Sequence, residues 1–120
     1  MILIINTIDR HCIEIGLFKN NRLESFNFKT LSQSDDLLVA IEGIIKLKKI
    51  SLQNIKAILV NQGPGSFTGV RLGITCANTL AWILDIPVFG YIDDNLDKTL
   101  KRVWQIKIKK FSRITLPYYQ

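Results

Sequence analysis

The residues of this chain best suited to chemistry form one run, Gly63-Pro64-Gly65-Ser66-Phe67-Thr68-Gly69-Val70-Arg71-Leu72-Gly73. The run follows the short apolar segment Ala57-Ile58-Leu59-Val60 and precedes a long apolar stretch, so it reads as a loop between a strand and a helix. A glycine-rich loop in that position can turn backbone amides toward a phosphate. The common phosphate signatures do not fit, however. A Walker A loop needs Gly-x-x-x-x-Gly-Lys-Ser/Thr, and no lysine lies between Lys56 and Lys98. A dinucleotide fingerprint needs glycine where Thr68 stands, and the nucleophile elbow Gly-x-Ser-x-Gly fails at Pro64. Ser66 has no evident activating partner, because the sequence holds one histidine, His11, and nothing fixes its distance. That histidine with Cys12 and Cys76 lacks the clustered spacing of a zinc site, and the two thiols are expected to be small buried hydrophobes. The structural role open to the glycines is a tight turn that lets a helix begin close against a strand.

The elements that must position this loop follow from periodicity. Residues 1–7 and 12–18 are apolar, β-branched runs around the polar turn Ile8-Asp9-Arg10-His11. Asn20 and Asn21 suit the positive φ of a hairpin turn before residues 23–28, which alternate with a period near two. This gives a three-stranded meander. Leu37, Leu38, Ile41, Ile44 and Ile45 then recur at helical spacing, with Ser32 or Ser34 as N-cap, Asp35 and Asp36 in the first turn, and Lys46, Lys48 and Lys49 closing the helix. Residues 51–55 connect to a buried strand at 57–60. A second helix over residues 70–84 stops before Pro87, residues 88–91 form a further strand, and residues 93–100 a helix capped by Asp93 or Asp94. The expected architecture is α/β, a mixed sheet with flanking helices.

Composition supports one globular domain: 120 residues, 48% apolar and 22% charged, with 7 Gly and 3 Pro. No basic n-region precedes the first apolar run, so a reducing, cytoplasmic setting is expected. The charge-free stretch over residues 72–84 is too short for a membrane span and reads as a buried helix. The net charge of +6 arises from residues 98–120, which carry Lys98, Lys101, Arg102, Lys107, Lys109, Lys110 and Arg113 and no acid. Such a tail could contact RNA, with Trp104 and Phe111 for stacking, although a compositional bias toward Ile, Lys and Asn is the stronger account of it.

The uninterrupted run over residues 63–73 resembles the signature of the TsaB (YeaZ) family of tRNA threonylcarbamoyladenosine biosynthesis proteins. The resemblance extends over about residues 1–100, through the opening strand, Ser34-Asp35-Asp36-Leu37-Leu38, the second helix and Ile86-Pro87-Val88-Phe89-Gly90-Tyr91. It implies one subdomain of the actin-like ATPase (ASKHA, ribonuclease H-like) fold, with residues 101–120 as a remnant of the second. It further implies a noncatalytic subunit that binds TsaD, the enzyme that transfers threonylcarbamoyl to the tRNA adenosine beside the anticodon. TsaE would join through that pair, tRNA would be met indirectly or through the tail, and a homodimer is open to the chain when TsaD is absent. No resident cofactor or metal is expected, and ATP or ADP with magnesium would enter only in the assembled complex.

By the same resemblance, Asn6, Thr7, Gly63, Pro64, Gly65, Ser66, Phe67, Thr68, Gly69 and Arg71 would form the motif turn and a degenerate nucleotide site. Gly73, Ala77 and Ala81 recur every four residues and, with Leu80 and with Leu37, Leu38 and Ile41 of the first helix, would form the partner interface. The chain departs from the family pattern at Asn6, where an aspartate is usual, at Gln33, where a histidine is usual, and in being about half the usual length. The paired-histidine metal motif of catalytic TsaD is missing, with one histidine in all. Two alternatives remain: a degenerate nucleotide-binding phosphotransferase fragment, with Asp9 as the acid nearest Asn6, or an RNA-binding module acting through the tail.

Overall fold

A computed structural model describes residues 1–92 and 94–105. Its centre is a five-stranded sheet of order β3-β2-β1-β4-β5, from β1 (Ile2–Asn6), β2 (Cys12–Lys19), β3 (Arg22–Lys29), β4 (Ala57–Asn61) and β5 (Val88–Tyr91). The first three strands form the expected antiparallel meander, and β1, β4 and β5 run parallel. Asn20 and Asn21 adopt φ of 53° and 62°, so the turn chemistry read from the sequence sets the β2–β3 register.

Helices α1 (Gln33–Leu47) and α2 (Phe67–Leu84) cover one face of the sheet, and α3 (Leu96–Gln105) covers the other. β1 is therefore apolar on both sides: Leu3 and Ile5 pack under α1 and α2, whereas Ile2 and Ile4 pack with Leu100 and Val103 of α3. Each such side chain contributes about 1.5–3 kcal/mol on burial. α1 starts at Ser32, which caps without a side-chain hydrogen bond, and turns Gln33, Leu37, Ile41 and Ile44 inward. α2 ends at Asp85, whose φ of 57° breaks the helix just before Ile86-Pro87.

Three expectations change. The helix expected over 93–100 runs from Leu96 to Gln105 and buries Val103 completely, so the boundary drawn at residue 100 cuts through a core helix. Trp104 is part of that helix and meets Phe18 edge-on, with ring centroids 5.5 Å apart. Second, α2 is not an enclosed helix; it has the length and apolar composition of a membrane span, yet one side is packed on the sheet while Trp82 and Ile83 face outward. Third, Cys12 and Cys76 are only partly buried. Asp93, Lys107, Lys109, Lys110, Phe111 and Arg113 lie outside the described residues.

Candidate functional site

The glycine loop joins the carboxyl end of β4 to α2 and lies against the segment that leaves β1. Gly63 has φ of 103°, and the peptide to Pro64 is cis. The Gly63 N–H donates to Asn61 Oδ1 at 2.8 Å, which holds the loop's first turn to its own strand. The Ser66 N–H donates to the Ile8 carbonyl at 2.7 Å, and Ser66 Oγ accepts from the Gly69 N–H at 3.1 Å as the cap of α2. The Val70 amide is taken by the Ser66 carbonyl. The first amides of α2 are thus partly committed to the loop itself.

Three glycines make this contact close. A Cβ on Gly65 would stand 2.7 Å from the Ile8 carbonyl oxygen, one on Gly69 would collide with the Thr7 carbonyl, and one on Gly73 with Thr7 Oγ1. Thr7 is buried and donates from Oγ1 to the Gly69 carbonyl at 2.6 Å. Gln33 completes the junction: its Nε2 lies 2.8 Å from the carbonyls of Asp9 and Cys12 and 3.2 Å from that of Thr7. One buried amide from α1 therefore ties down the turn against which the loop packs. The sequence carried a signal for it, since Gln33 is the polar residue in the same stripe as Leu37, Ile41 and Ile44.

Asn6 sits at the end of β1, its Nδ2 donating to Glu14 Oε1 at 2.8 Å and its Oδ1 accepting from the Ile8 N–H at 3.2 Å. Both ends of its amide serve the strand end. Asp9, the acid nearest in sequence, is exposed and accepts from the His11 N–H at 3.0 Å. Glu14, not Asp9, is the carboxylate that the register brings to Asn6. Asn61 follows one residue beyond the paired Ile5 and Val60; its side chain is buried and its Nδ2 has no hydrogen-bond partner. Among the described residues no group of three His, Cys, Asp or Glu is placed to hold a metal. Burial pushes the Cys76 thiol up to about 11, so it stays protonated near neutrality and is a poor nucleophile.

The structure thus brings Asn6, Thr7, Gly63, Gly65, Ser66 and Gly69 together, while Pro64, Phe67, Thr68 and Arg71 point away to solvent. Arg71 lies over the Phe67 ring, 5.2 Å from its centroid. The expected partner stripe is corrected. Gly73, Ala77 and Ala81 are buried against the sheet, and Leu37 and Ile41 are in the same core, with Leu80 packed partly against it. Small residues occur there because α2 must approach β1 and β4 closely, as the Gly73 contact with Thr7 shows. Of the seven residues expected at the interface, only Leu38 is well exposed, at 60%.

Residues 32–91 match the family model described as TsaD: tRNA N6-adenosine threonylcarbamoyltransferase. The chain is 35% identical over 89 residues to the tRNA threonylcarbamoyladenosine biosynthesis protein TsaB of Bacillus subtilis (strain 168), covering 72% of this chain and 38% of that protein. It is 30% identical over 111 residues to the TsaB of Buchnera aphidicola subsp. Schizaphis graminum (strain Sg), covering 92% and 51%. YeaZ from Pseudomonas aeruginosa superposes with a TM-score of 0.71 at 26% identity, over 87% of this chain and 49% of that one. The chain spans 38–51% of the length of these curated relatives.

Proposed function

The chain belongs to the TsaB (YeaZ) family of tRNA threonylcarbamoyladenosine biosynthesis proteins, and from that premise we propose that it is a noncatalytic subunit that binds and supports the transferase TsaD. The observation that carries this reading is the outer surface of the helical layer. With their inner stripes closed on the sheet, α1 and α2 still expose Leu38, Trp82 at 74% and Ile83 at 64%. Large apolar side chains held outward on a rigid layer are suited to burial against a partner. The contact surface is therefore moved from the small-residue stripe to these outer positions. TsaE joins through the assembled pair, and ATP or ADP with magnesium enters only there.

The noncatalytic part of the reading is supported by Asn6, whose amide is spent on Glu14 and Ile8 and offers no charge to a metal-bound nucleotide. The packing of the glycine loop on Thr7 and Ile8 supports a structural role for that motif. Reconstitution with TsaD, threonylcarbamoyl-adenylate and unmodified tRNA, read as modified adenosine by liquid chromatography, tests the proposal. Adding the chain raises the modified fraction, while the chain without TsaD yields none. Modification by the chain alone, or an equal yield with and without it, overturns the reading.

A further inference from the structure

The end of the sheet opposite the glycine loop carries a concavity of about 750 Å³, walled by the β2–β3 turn and the C-terminal end of α1. Lys19, Arg22, Lys48 and Lys49 line it, and Glu24 is the single carboxylate of its lining. Lys56 stands beside it, its backbone N–H bonded to the carbonyl of Met1, another lining residue, at 2.8 Å. Glu24 is already paired with Lys48 at 3.0 Å. The other ion pair among the described residues joins Lys46 to Glu42, so Lys19, Arg22, Lys49 and Lys56 have no carboxylate at pairing distance there.

Two local features put cations where folding alone disfavours them. Lys19 and Arg22 are directly opposed in the β2–β3 ladder, and like charges in that position repel. Lys49 follows α1 with φ of 54°, a backbone conformation usually given to glycine at a helix end. Both costs fall on the wall of one concavity, and an anion seated there would relieve the repulsion. The cations are exposed side chains with no buried donor converging on a point, so a small anion finds no fixed seat. A ligand with its own regular array of charges does, and a phosphodiester backbone is such a ligand.

We propose that this concavity is a phosphate-backbone contact for structured RNA, used when tRNA is bound. The choice of RNA among polyanions rests on the tRNA-modification reading above. The surface is distinct from Lys98 and Arg102, which line a separate hollow between β5 and α3.

The test is fluorescence anisotropy of labelled tRNA with the full chain, between about 50 and 200 mM salt. Replacing Lys19, Arg22, Lys49 and Lys56 together by Gln should weaken binding about tenfold or more at the low-salt end. It should also make the slope of log affinity against log salt shallower by about 3, at about 0.7–0.9 for each cation removed. Lys98→Gln with Arg102→Gln should change that slope less. Lys49→Gly is the second variant, because it removes one cation where glycine suits the backbone, and it should flatten the slope by about 0.7–0.9. Circular dichroism establishes that each variant is folded.

An unchanged slope and affinity in the folded variants overturns the proposal. So does saturable binding of inorganic phosphate that competes with tRNA, or loss of binding to poly-glutamate with tRNA binding intact. If the variants keep tRNA affinity while the chain still stimulates TsaD, the inference fails and the functional reading stands. If the variants lose the salt slope but the chain never stimulates TsaD, the RNA contact stands and the functional reading fails.

Discussion

The two ends of the sheet are built on opposite terms. At the carboxyl ends of β1 and β4, Gly65, Gly69 and Gly73 leave no room for a Cβ, and Thr7 and Gln33 are committed to backbone carbonyls, with Asn61 Nδ2 left as a buried donor without a partner. At the other end, the β2–β3 turn and the end of α1 surround an open hollow whose cations repel. The first end depends on close backbone approach, so its residues are fixed by the fold. The second ends a fully paired ladder, and its opposed Lys19 and Arg22 and the left-handed Lys49 oppose stability slightly. That difference separates a motif that builds the domain from a surface whose charges the fold leaves uncompensated.

The largest effect expected from breaking this contrast is at Gly69. Gly69→Val should cost about 2–3 kcal/mol in urea unfolding, because its Cβ meets the Thr7 carbonyl. The companion Gly43→Ala, in α1 with nothing within 4 Å, should gain about 0.5–1 kcal/mol. Equal losses at the two glycines would remove the close-approach argument. Gln33→Ala should cost about 1–3 kcal/mol, since it strips the shared donor from the Thr7, Asp9 and Cys12 carbonyls. Amide exchange at the turn after β1 should rise with it; protection left unchanged would show that the clamp is dispensable.

The opposite end should respond with the opposite sign. Lys49→Gly should stabilise the fold by about 0.5–1 kcal/mol by suiting the left-handed backbone. Lys19→Gln should add a few tenths, roughly 0.2–0.5 kcal/mol, by ending the repulsion with Arg22. Thermal melts of the two variants measure these gains, and losses of similar size would show that the cations serve stability after all.

Much of the fold was legible in local sequence, because local chemistry fixes it. The Asn20-Asn21 turn, the α1 stripe and the stop before Pro87 each depend on residues close in the chain. The direction of the α2 stripe was not legible. That helix is apolar nearly all round, so its sequence does not reveal which side meets the sheet, and Gly73, Ala77 and Ala81 fit a partner seam as well as a core. Gln33 was visible as a polar residue in the α1 stripe and as a departure from a family pattern, but its three carbonyl partners were not, because they come from a turn more than twenty residues away. The basic hollow was hidden for another reason. Its cations come from residues 19, 22, 48 and 49, with Lys56 beside them, within residues 1–97, where nine basic residues face ten acidic ones, and only the fold gathers them.

On the proposed reading, the partner face of the helical layer is its outer side, because its inner side is already spent on the sheet. Titration calorimetry of the chain against TsaD tests it, using the wild type and the double variant Leu38→Asp with Trp82→Asp, both exposed positions that leave the core intact. Saturable wild-type binding, weakened about tenfold or more in a variant whose melting temperature is unchanged, is the expected result. Undiminished binding by the folded variant, or no binding by the wild type, would contradict the account.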